Sequence, residues 1–155
     1  LFAATPFVIP AVAIEYGVSM GRSGLLSAAQ VGGFAVIAFV AGRRLRTRRA
    51  YLVGGSLAGV ALNLLSAFAP TFEILLALRV LAGAAAGLLV WLAWSKAMQS
   101  SGALRDVASA GPATVLVSAP ILAYAAAEGG PSAVYILLAL IYGRQPFIDN
   151  TLSQL

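Results

Sequence analysis

The sequence predicts an all-α fold, a polytopic membrane bundle of six transmembrane helices with a short first and a short last member. Three observations carry that expectation. Of 155 residues, 61% are hydrophobic and 10% charged, where an ordinary soluble domain carries about 25% charged residues. With a mean hydropathy of +0.94, the chain lacks the polar side chains that a water-facing surface needs; lipid accepts such a surface. The apolar residues also gather into six stretches separated by charges, glycine and proline, and the basic residues alternate from loop to loop.

Taken in order, the stretches cover about residues 1–14, 24–42, 51–69, 72–95, 107–127 and 132–143. Crossing a hydrocarbon core of about 30 Å takes roughly 20 apolar residues, and the second to fifth stretches meet that length. The first holds Pro6 and Pro10 and opens inside an apolar run at Leu1, which predicts residues ahead of it. A cleaved signal peptide is the alternative, but no charged region precedes the run. The third stretch ends before Pro70. The sixth is stopped by the charged, proline-bearing segment 144–150. The chain therefore divides into a transmembrane bundle over residues 1–143 and a cytoplasmic tail or truncated end over 144–155. A single stretch would suit a buried helix of a large soluble protein, but six of them leave too little chain to cover them.

Cytoplasmic loops carry excess Lys and Arg. The second and fourth loops and the tail hold Arg43, Arg44, Arg46, Arg48, Arg49, Lys96, Arg105 and Arg144; the first, third and fifth loops hold only Arg22 among the basic residues. This places both ends in the cytoplasm, with the chain integral to the cell membrane. Tyr51, Trp91, Trp94 and Tyr142 are expected near the inner interface, and Phe68 and Phe72 near the outer one.

Several function classes drop out. The chain has no cysteine and no histidine, which removes thiol chemistry, the commonest metal ligand and the commonest general base. It shows no catalytic triad, metal-ligand cluster or phosphate-binding glycine loop, so no enzyme, cofactor or metal is expected. The net charge of +5 is concentrated between Arg43 and Arg49, a juxtamembrane pattern that does not point to nucleic acid.

The informative residues are those at membrane depth. Gly55 and Gly59 in the third helix and Gly83 and Gly87 in the fourth have the four-residue spacing that lets helix backbones approach. Gly111, Pro112 and Pro120 mark a kink in the fifth helix. Arg79 lies about 10 Å into the fourth stretch, where an arginine costs about 2.5 kcal/mol or somewhat less. It either faces a wet cavity or a partner, or snorkels to the interface. Gln30, Asn63, Thr114 and Ser118 are suited to hydrogen bonds between helices. No Asp or Glu lies well inside a helix; Glu15, at the end of the first, is the nearest candidate for coupling.

The run from Pro10 to Ser19, followed by Ser23 to Ala28, resembles the first loop and second helix of the major facilitator superfamily. Arg79 to Gly83, with Gly87, resembles that family's fourth-helix motif, and Gly111-Pro112 through Pro120 is similar to the fifth helix of its drug and sugar efflux branch. The loop Gly42, Arg43, Arg44, Arg46, Arg48, Arg49 keeps the glycine and basic character of the family's gating loop but lacks its aspartate and inner glycine. The resemblance implies the amino-terminal six-helix half of a secondary transporter, with helices one, two, four and five lining the path of a small-molecule substrate. It implies that Arg79, Gln30, Thr114 and Glu15 serve that path or its coupling, with Arg79 facing the cavity. It also implies alternating access against a missing second half, with export as the branch's direction of transport. The other expectation is a complete small membrane protein, acting as a half-transporter that pairs with a second copy or as a non-catalytic membrane subunit.

Overall fold

In the computed structural model, residues 5–98 and 120–143 are described, and all of their regular structure is helical. Helix α1 spans Thr5–Glu15 and contains Pro10. Its end is closed by Gly17 at φ 61°, a left-handed conformation that glycine adopts without steric cost. The Gly17 N–H bonds the Ile14 carbonyl at 3.4 Å and the Val18 N–H bonds the Ala13 carbonyl at 3.1 Å, the paired pattern of a Schellman cap. Ser19 then accepts from the Arg22 N–H at 3.2 Å and starts the single turn α2, Met20–Ser23. Through Gly24 this turn leads into α3, Leu25–Arg44. Helix α4 covers Arg49–Ala67. Thr71, whose hydroxyl accepts from the Ile74 N–H at 3.3 Å, caps α5, Phe72–Ala97. A last helical run, α6, covers Pro120–Gly143.

Four of these runs are long and apolar enough to cross a membrane: Met20–Arg44, Arg49–Ala67, Phe72–Lys96 and Pro120–Gly143. Around an apolar core, large hydrophobic side chains also cover the outside, and several polar ones are buried. Val36, Phe39, Leu57, Leu65 and Leu81 are exposed, whereas Gln30, Ser56, Asn63, Ser66 and Arg79 are buried. Water would penalise that arrangement and hydrocarbon favours it, so the chain is a membrane-embedded helical protein.

Helix α5 is central and packs against both α3 and α4. Its contact with α3 is made by backbone. A Cβ on Gly33 would overlap the Val80 carbonyl oxygen, one on Gly83 the Gln30 carbonyl oxygen, and one on Gly87 the Phe34 carbonyl oxygen. Helix α4 lies on another face of α5, with Gly55 against Leu89.

Helix α6 is not straight. The Ser132 hydroxyl donates to the Ala67 carbonyl at 2.7 Å, the Tyr142 ring lies on Gly59, and Gly143 lies near Val60. Residues 132–143 therefore run antiparallel to α4, from its last residue back to its middle. Straight continuation in the other direction would carry Leu122 about 15 Å past the end of α4. Leu122 is instead buried with Val8, Val12, Phe72 and Leu75. The fold-back occurs at Gly130, which has φ 65° and precedes Pro131, a residue without an N–H.

One expectation changes and one break is kept. The described parts of the fifth and sixth stretches reverse direction at Gly130, between residues 127 and 132, where the sequence separates them. Tyr142 is buried against mid-helix Gly59 rather than placed at an interface, because residues 132–143 pair with only the second half of α4. Most of the expected fifth helix lies outside the described residues.

Candidate functional site

The most unusual side chain in the bundle is Arg79. Seven residues into α5, it is only 2% exposed, so its side chain is held inside the bundle and does not snorkel to an interface. The reason lies in α4, which presents acceptors to it from one face. Arg79 Nη1 donates to Asn63 Oδ1 at 3.3 Å, Nη2 donates to the Leu62 carbonyl at 3.4 Å, and Nη2 also donates to Ser66 Oγ.

Those acceptors are themselves held in place. Asn63 Nδ2 donates to the Gly59 carbonyl at 2.7 Å, which turns Oδ1 toward the guanidinium. The Ser66 hydroxyl donates to the Leu62 carbonyl at 2.6 Å, which leaves its lone pairs for Arg79. The Tyr135 ring closes the opposite side, its centroid 4.4 Å from the guanidinium carbon. A desolvated contact of this type contributes up to about 2 kcal/mol or more. Arg79 thus joins α4, α5 and the second part of α6.

Among the described residues, no carboxylate pairs with this charge. It is balanced by an amide, a hydroxyl, a carbonyl and a ring face, and among the described residues Arg79 Nε, Tyr135 Oη and Ser56 Oγ find no hydrogen-bond partner. Dipoles compensate a buried cation less fully than an anion does. The site is therefore polarised and under-neutralised at membrane depth.

The other expected site residues are dispersed. Gln30 is buried on the α3 face that meets α5, where its backbone carbonyl abuts Gly83. Glu15 is exposed at the end of α1. Thr114 and Ser118, with Gly111 and Pro112, lie outside the described residues, and Pro120 is the exposed first residue of α6. Gly42, Arg43, Arg44, Arg46, Arg48 and Arg49 are exposed at the other end of α4 from Ser66. Gly55, Gly59, Gly83 and Gly87 all lie at close helix contacts.

Ser66 and Tyr135 do not stand out from the sequence, and Asn63 stands out there only as suited to hydrogen bonds between helices. A usable signal was present: Gly59, Asn63 and Ser66 follow one another at helical spacing on α4. Tyr135 had no local signal, because its role depends on the turn at Gly130.

A second cluster ties together the end of the bundle nearest this site, where α4 finishes and α5 begins. The Tyr16 hydroxyl donates to the Ala69 carbonyl at 2.7 Å, and its ring meets Phe72 edge-on at 6.4 Å. Arg22 pairs with Glu73 at 2.7 Å and lies 5.4 Å from the Phe72 ring centroid. Burial, and secondarily the charge of Glu15, raises the Tyr16 phenol above its ordinary pKa. This end carries Glu15, Glu73 and Glu128 with the single basic residue Arg22, and the other carries Lys96 and the arginine run, so basic residues are in excess at one end among the described residues.

No family model matches the chain, and no curated protein or solved structure matches it.

Proposed function

We propose that the chain is part of a secondary active transporter that moves small molecules, in the export direction, by alternating access. In this reading residues 1–143 form a six-helix half like that of the major facilitator superfamily. Both ends lie in the cytoplasm, and a second six-helix half or a second copy completes the pathway.

The observation that carries the reading is Arg79. Intramembrane ionisable residues are expensive and mark functional machinery more often than packing. Among the described residues this one is held by neutral groups from two other helical segments, α4 and α6, and by no counter-ion. Such a contact can be exchanged between conformations at lower cost than a buried ion pair. The excess of basic residues at one end supports the orientation. Gln30, Thr114 and Glu15 serve the substrate path or its coupling, and the loop from Gly42 to Arg49 serves gating.

The test is efflux by the gene-length carrier containing this chain, compared with Arg79→Ala and Arg79→Lys variants. Loss of efflux at normal membrane levels in both supports the proposal. Wild-type efflux in both sinks the assignment to Arg79.

A further inference from the structure

We infer that the arginine-rich end of the bundle is a docking surface for the phosphate headgroups of anionic phospholipids. The inference rests on membrane embedding and not on the transport proposal, and its test requires no transport.

Among the described residues the charge at this end is dense and of one sign. Arg43 and Arg44 end α3, Arg46 and Arg48 lie in the connection, Arg49 opens α4 and Lys96 lies near the end of α5. All six are exposed. The acidic residues among those described, Glu15, Glu73 and Glu128, are at the other end.

The surface also lies at headgroup depth. The Arg43 guanidinium carbon is 4.3 Å from the centroid of the Phe39 ring, and Phe39 is 60% exposed beside Val36 and Val40. A ring on that apolar face is in contact with acyl chains, so the stacked guanidinium sits where the chains give way to phosphate. Trp94, also exposed, adds an amphipathic ring on α5.

Arg48 is placed against local electrostatics. Arg48 occupies the N-cap of α4 without a side-chain cap bond, and the first turn has no acidic residue. Basic side chains at a helix N-terminus oppose its positive dipole end. A phosphate there reverses that penalty and pairs with the arginine forks. A flat, exposed basic surface flanked by lipid-facing rings fits a headgroup better than it fits a soluble ligand enclosed in a pocket.

The test is native mass spectrometry of the intact protein in micelles, titrated with phosphatidylglycerol or phosphatidylcholine. Preferential retention of phosphatidylglycerol is expected. Each arginine contributes about fivefold (~1 kcal/mol) to anionic-lipid affinity. The triple variant Arg43→Gln/Arg46→Gln/Arg48→Gln should therefore bind it about a hundredfold more weakly, while the corresponding triple Arg→Lys variant keeps most of the affinity. Raising salt from about 0.1 M to about 1 M should release lipid from the wild type, a readout independent of whether the Gln variant folds. Equal binding of the two lipids, indifference to salt, or wild-type affinity in a folded Gln variant overturns the inference. Displacement of the lipid by millimolar glycerol phosphate overturns it in favour of a soluble-anion site.

Discussion

Arg79 defines what a single side chain does in this bundle. Its guanidinium is held by acceptors that α4 has already oriented through Asn63 to Gly59 and Ser66 to Leu62. Removing an acceptor leaves the charge buried and less well compensated. Asn63→Leu should therefore lower stability by about 1.5–3 kcal/mol, the range for hydrogen bonds to charged groups. The same substitution should cost much less beside Arg79→Met. A double-mutant cycle of thermal unfolding in micelles reads the difference; additive effects would show that the contact contributes nothing. Tyr16 gives a pH prediction at the end of the bundle nearest Arg79. Its folded-state pKa lies above the ordinary value of 10.0, so the folded state holds the phenolic proton more tightly than the unfolded chain does. The associated stability is present below the unfolded value and is lost as pH rises through the folded one. Tyr16→Phe should abolish that alkaline loss while costing about 1 kcal/mol at neutral pH for the bond to Ala69. Alkaline titration of the melting temperature checks both.

Among the helices, the α3–α5 contact is the least tolerant. Gly33 abuts the Val80 carbonyl, whereas at Gly32, one residue earlier, a Cβ would meet nothing within 4 Å. Gly33→Ala must push two backbones apart and should cost several kcal/mol, toward the upper end of point-mutant effects. Gly32→Ala should be neutral or stabilising by up to about 1 kcal/mol. Unfolding of the two variants side by side is the measurement; equal effects would argue against the close crossing. This pair also shows the limit of spacing arguments. The four-residue glycine motifs on α4 and α5 were legible in the sequence, and all four glycines lie at contacts. Gly33 was not legible, since a Gly-Gly pair does not reveal which member faces a neighbour. The boundaries of α3, α4 and α5 were legible because basic residues, Pro70 and a Thr cap punctuate continuous apolar runs. The fold-back of α6 was read only as a break between stretches, because its geometry depends on where α4 lies.

Across the whole molecule, membrane embedding was legible from composition, since the shortage of charged residues alone excludes a water-facing surface. The composition of the site was not, because Arg79, Asn63, Ser66 and Tyr135 come from three separate segments and meet only through tertiary packing. The excess of basic residues at one end is a whole-molecule property and predicts a topology. Single cysteines at Arg46 and Glu128 in an otherwise cysteine-free chain should react with impermeant maleimide from opposite faces of the membrane. Labelling of both from one face would overturn the oriented bundle.

The grip of α4 on Arg79 also bears on how the protein is made. An arginine at that depth raises the cost of partitioning α5 from the translocon into lipid, and the groups that offset the cost lie on the helix synthesised just before it. Only the short link of residues 68–71 separates the two, so they can leave the translocon together as a hairpin, with the guanidinium already satisfied by the preceding helix. Tyr135, synthesised later, then seals a charge that has already entered the bilayer. Glycosylation mapping of nascent chains should show α5 integrating efficiently behind α4 and poorly behind an α4 that carries Asn63→Leu and Ser66→Ala.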